Sequence, residues 1–203
     1  LFFPSHTTDK ISQNLNPDDI HRMIEKIGND FKPIDICLHW LDYKKDKIAY
    51  EKLGYNVLCA GKVFNNNFVR NFYNIIKNYE FSMSNKIGTY ILYSLDLGIP
   101  FSLIGDEPIY FNHSGDKNKP QNYRISDYSF GKKVIKLFYG LNYFINENQK
   151  NFFINETGHD DIISEKDLNK VLKDEFAYSL SNYIGLKNIT KFYLKNSYLF
   201  LFK

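Results

Sequence analysis

Hydrophobic and polar positions change spacing repeatedly along the first hundred residues, and each change marks an element. The opening "LFF" is an apolar run of strand type, and the polar stretch "PSHTTDKISQNLN" after it reads as a loop. "PDDIHRMIEKIG" carries helix punctuation: Asn16 as cap, Pro17 in the first turn, acids behind it and Gly28 at the close. "IDICLHW" is a continuous apolar run of strand length, "YKKDKIAYEKLG" a charged helix stopped by Gly54, and "YNVLCAG" another buried strand. In "NNNFVRNFYNIIKNY", Phe68, Phe72, Ile75, Ile76 and Tyr79 recur at helical spacing and define one inward face. "EFSMS" is a strand, "SNKIGTYILYSLDLG" a polar turn swinging into a buried helix, and "IPFSLIG" a strand again.

Strand and helix alternate to residue 105, which predicts an α/β fold with a doubly wound, Rossmann-like parallel sheet. "DEPIYFNHSGDKNKPQNYR" then loses the period and is rich in turn formers, so it reads as a long loop over the sheet edge. "SFGKKVIKLFYGLNYFI", "SEKDLNKVLKDEFAYSLSNYIG" and "NITKFYLKNSYLFLF" read as helices. The expected division is a core over residues 1–110, with 111–203 completing the same domain.

Composition narrows the function classes. With 203 residues, 43% of them hydrophobic, the chain has material for a real core. A net charge of +3 without a lysine or arginine block argues against a nucleic-acid partner. Cys37 and Cys59 each lie in an apolar strand run, where a reduced thiol is a small hydrophobe, and this suits a reducing cytoplasm. No apolar run approaches the roughly 18 residues of a membrane span. No zinc-type histidine or cysteine spacing, G-x-S-x-G elbow, phosphate-binding P-loop or G-x-G-x-x-G fingerprint occurs. The expectation is therefore no metal and no bound cofactor.

The turn before the fourth helix is the strongest chemical signal. In an open parallel sheet, ligands bind at the carboxyl ends of strands, where a starting helix offers free N–H groups and a positive dipole end. Ser84, Asn85, Gly88 and Thr89 stand there and fit a phosphate: glycine for close approach, hydroxyls and amide as donors. The plainer alternative is that Ser84 or Asn85 caps the helix and Gly88 serves packing. His6, in the loop after the first strand, is expected at the same edge as a catalytic or phosphate-binding imidazole. His39, after "IDICLHW", and the acids Asp106 and Glu107, after "FSLIG", are candidate sugar or ribose contacts. His113 and His159 have weaker cases, and His21 belongs to a surface helix.

"SNKIGTYILYSLDLGIPF" resembles the C-terminal, nucleotide-binding half of GT-B glycosyltransferases and the related UDP-sugar 2-epimerases, in which a serine- and glycine-bearing turn opens a helix ending in Leu-Gly-x-Pro. "LFFPSHTTDK" is similar to the strand and histidine loop that open that half, and an "FPSH" loop with an "SN-x-IG" turn resembles proteins of bacterial surface-polysaccharide clusters. The resemblance implies a nucleotide-sugar substrate and a glycan or lipid-linked glycan acceptor. It also implies an N-terminal half that would supply the general base, and Leu1 opens inside a strand as such a half-protein would. Many such UDP-sugar enzymes place a ribose-binding glutamate after the glycine; this chain has Tyr90, Ile91, Leu92 and Tyr93 there, so a CMP-linked acidic sugar fits equally well. A sugar-nucleotide epimerase or hydrolase, and a non-catalytic interaction domain, are the rival readings. Finally, "KNITKFYLKNSYLFLFK" interleaves Lys187, Lys191 and Lys195 with aromatic residues, a pattern suited to the inner face of an anionic membrane or to folding back on the protein.

Overall fold

A computed structural model describes residues 1–116, 120–159 and 164–184. They form two compact units, Leu1–Thr157 and Gly158–Lys203. The described part of the second contains one long helix, Glu165–Ile184. The proposed membrane-facing segment at 187–203 lies outside the described residues. Among the described residues, no helix is long and apolar enough to cross a membrane.

The first unit is built on a five-stranded, wholly parallel sheet. Its strands are β1 (Phe2–Phe3), β3 (Ile36–Cys37), β4 (Val57–Leu58), β5 (Ser82–Ser84) and β6 (Phe101–Leu103), in the order β4-β3-β1-β5-β6. The chain thus starts in the middle, winds to one side, and returns to wind to the other, as the doubly wound reading requires. Helices α1 (Pro17–Glu25), α2 (Trp40–Lys52), α3 (Phe68–Ile76) and α4 (Tyr90–Asp96) make the crossovers, and α5 (Ser129–Phe138) and α6 (Glu147–Thr157) follow the last strand.

Strand side chains alternate between faces and so feed two cores. Phe2, Ile36 and Met83 pack with Ile20 and Ile24 of α1 and Tyr50 of α2. Phe3, Cys37, Phe101 and Leu103 face the other way, against Phe72 and Ile76 of α3, Ile91 and Leu95 of α4, Val134 and Phe138 of α5 and Phe152 of α6. Local signals account for the helix ends. Asn16 caps α1 through a box in which Asp19 N–H donates to Asn16 Oδ1 and Asn16 N–H donates to Asp19 Oδ2. Gly98, at φ 70°, takes the left-handed turn after α4 that lets the chain enter β6.

Two stretches expected to be loops are paired strands. β2 (Ile11–Gln13), within the polar stretch after β1, runs antiparallel to β7 (Tyr110–Asn112), and β7 pairs with β8 (Asn122–Tyr123). Each is two or three residues long and finds its partner at up to about a hundred residues' distance, so no local period announces it. Two helical readings change as well: the helix from Ser129 stops at Phe138, before Gly140 at φ 94°, and α6 occupies a stretch in which no helix was expected.

Candidate functional site

The strand order reverses between β1 and β5, and the loops leaving their carboxyl ends lie side by side. Ser5 N–H donates to Asn85 Oδ1 at 2.8 Å, and Asn85 Nδ2 donates to the Ser5 hydroxyl at 3.2 Å. Asn85 is buried, and its amide fastens the two loops together. From this lock the β1 loop runs on to Thr7, whose N–H and hydroxyl both donate to the buried carboxylate of Asp42, at 3.2 and 2.8 Å. Asp42 sits in the first turn of α2, so the β1 loop is tied to the start of that helix. The tie brings His6 onto His39, the α2 cap residue, with ring centroids 4.2 Å apart and planes 15° from parallel.

Lys86 completes the arrangement. Its ammonium donates to His6 Nε2 at 3.0 Å and lies 5.6 Å over the Tyr110 ring, and among the described residues no carboxylate reaches it within ion-pair distance. Burial lowers its pKa to about 8, with the charge of Asp42 acting the other way. It therefore remains mostly a cation at neutral pH, although desolvated. The His6 pKa falls to about 3 through burial, then the charge of Lys86 and the neighbouring His39. His6 is thus a neutral imidazole at neutral pH: Nε2 accepts from Lys86, and Nδ1, 3.3 Å from Thr7 O, carries the proton. The His39 pKa is also lowered, chiefly by burial.

Two clefts open on either side of Lys86. The first, about 320 Å³, has aromatic walls from Phe3, Trp40, Phe68 and Phe72, with His6 and His39 at its floor. Among the described residues, buried His39 Nδ1 and Trp40 Nε1 have no hydrogen-bond partner, although such atoms are rarely left unpaired. The second, about 310 Å³, lies towards β6 and contains Asp106, Glu107 and Tyr110.

The expected phosphate turn is divided by its geometry. Ser84 is fully buried: its hydroxyl donates to Phe3 O at 2.6 Å, accepts from Lys86 N–H at 2.9 Å and lies 2.8 Å from the Tyr90 hydroxyl. These bonds make Ser84 a structural link between β1, β5 and α4, which corrects its reading as a phosphate ligand. Gly88 and Thr89 do line the first cleft. A Cβ on Gly88 would stand 2.6 Å from Tyr90 Cε1, so glycine is also demanded by packing. The α4 helix has seven residues and Thr89 forms no side-chain cap. The basic group the turn presents is Lys86, which sequence reasoning passed over because a lysine in a polar turn reads as solvated. Asp42, Trp40 and Tyr110 were likewise not singled out for the site; Lys86, one residue from Asn85 in the same turn, had the only local signal.

Of the remaining candidates, His39 joins His6, whereas Asp106 and Glu107 lie in the second cleft and not with the imidazoles. His113 Nε2 is 2.8 Å from the Ser12 hydroxyl in the small sheet, and His21 Nδ1 is 2.8 Å from the Tyr55 hydroxyl. His159 belongs to the second unit. Among the described residues no group of three histidine, cysteine or acidic side chains could hold a metal ion. Compared with models of protein families, with curated proteins and with solved structures, the chain matches none.

Proposed function

We propose that the chain is the donor-binding domain of a glycosyltransferase that moves a sugar from a nucleotide-activated donor to a bacterial surface glycan. The observation that carries the reading is Lys86, a half-buried cation that among the described residues has no carboxylate partner, at the point where the strand order reverses. Keeping a desolvated ammonium unpaired is costly, and an anion placed beside it offsets that cost. Trp40 and Phe68, the half-buried aromatic walls of the first cleft, offer stacking surface for a base, and His39 Nδ1 and Trp40 Nε1 are polar atoms for its edge. In transfer, the phosphate takes up negative charge as it leaves the sugar, and Lys86 would stabilise that charge. His6 would orient the ammonium through Nε2; it is a positioning residue in this scheme, because its acceptor nitrogen is already engaged.

Titration calorimetry with UDP and CMP on the whole chain tests the reading. At least one nucleotide should bind, and Lys86→Met should weaken it by about tenfold to a hundredfold, the worth of a hydrogen bond to a charged group. Absence of binding by both nucleotides, or equal affinity in the variant, would overturn it. Product analysis with purified nucleotide sugars and an acceptor separates transfer from epimerisation or hydrolysis in the same cleft.

A further inference from the structure

The second cleft differs in character from the first. Tyr110 is 3% exposed, and among the described residues its buried hydroxyl has no partner. The ring is held between Lys86, 5.6 Å from its centroid, and Tyr123, stacked at 5.3 Å, so the hydroxyl keeps its place. Glu107 is fixed by the Ser126 N–H, which donates to Oε1 at 2.8 Å, leaving Oε2 free to accept; Asp106 stands exposed beside it at the end of β6. Among the described residues no cation lies within ion-pair distance of either acid, and Lys86 is the only cation lining the cleft. Ionised carboxylates only accept hydrogen bonds, so the cleft calls for a ligand rich in donors.

We propose that this cleft holds the sugar attached to the phosphate, and that it selects a neutral, hydroxyl-rich sugar over one bearing a carboxylate. The inference rests on Lys86 as the phosphate anchor. Once that ammonium faces phosphate, nothing else in the cleft balances an additional anion, and a sugar carboxylate would meet Asp106 and Glu107 as like charges. A neutral sugar instead offers hydroxyls to both acids and to the unpaired Tyr110 hydroxyl, whose burial otherwise goes uncompensated. The sequence allowed an acidic sugar equally; the acids beside Lys86 remove that balance.

Sugar 1-phosphates test this without depending on the base. The whole chain is titrated by NMR with glucose 1-phosphate, glucuronic acid 1-phosphate and inorganic phosphate. Glucose 1-phosphate should bind at least about fivefold more tightly than the uronate, and the ratio should fall below about twofold when Asp106→Asn and Glu107→Gln are combined. Tyr110→Phe should weaken glucose 1-phosphate and leave inorganic phosphate unchanged. Equal affinity for the two sugar phosphates in the unaltered chain, a preference for the uronate, or no gain of glucose 1-phosphate over inorganic phosphate would each overturn the inference. Should UDP and CMP fail to bind while the sugar phosphates behave as stated, the nucleotide reading falls and this one stands.

Discussion

Replacing His6 with glutamine should make the protein more resistant to acid. In the folded chain His6 accepts a proton only near pH 3, whereas an unfolded histidine does so near 6.5. Between these values the unfolded state holds one more proton, so the His6 contribution to stability is complete above about 6.5 and declines as the pH falls towards 3. At 1.36 kcal/mol per pH unit, acidification from neutrality to about pH 4.5 costs about 2.7 kcal/mol through this one group; partial exposure of the ring screens the charge and lowers the figure to about 2 kcal/mol. Glutamine does not titrate, and its carbonyl oxygen can still accept from Lys86. Urea-unfolding free energies of both proteins, measured at about pH 7 and about pH 4.5, supply the comparison, because carboxylates elsewhere titrate alike in each and cancel. The difference should move in favour of His6→Gln by about 2 kcal/mol on acidification. Parallel pH profiles, differing by less than about 0.5 kcal/mol across the range, would refute the half-buried, Lys86-coupled imidazole.

The phosphate-binding reading has its own pH window. Since Lys86 titrates near 8, affinity for nucleotide should hold below that value and decline as the pH rises through it, an effect absent from Lys86→Met and read by calorimetry across the window. Tyr90→Phe removes a buried hydroxyl that donates to Lys86 O at 2.6 Å and lies 2.8 Å from Ser84 Oγ. Thermal or urea unfolding should show a loss of about 1–2 kcal/mol, with weaker nucleotide binding because the Lys86 turn is less firmly held.

The fold was legible where its causes are local. Asn16, Pro17 and Asp19 announce α1 because a capping box is complete within four residues, and the aromatic stripe of α3 repeats at helical spacing. The continuous apolar runs of β3 and β6 betray burial on both faces, so the parallel sheet followed from residue order alone. The site was legible only in part. That His6 and His39 share an edge follows from alternation, but their stacking depends on Asp42 holding Thr7, a contact across 35 residues. Lys86 is partly covered by its contacts with the His6 loop and Tyr110, and neither contact is written into the turn that carries it. Ser84 has the composition of a phosphate ligand, and its register in β5 turns it inward.

The small antiparallel sheet has a consequence for how the protein comes to possess a site at all. Its β2–β7 pairing joins the segment after β1 to the segment after β6, and Ser12 contacts His113 across 101 residues. Contacts of such separation pay a large loop-closure entropy before they return anything, so they consolidate late in folding. The crevice walls should therefore become rigid only after the central sheet has assembled, and local opening of the small sheet would loosen Tyr110 and Lys86 together. Amide hydrogen exchange should accordingly reveal one cooperative unit spanning two stretches of chain a hundred residues apart.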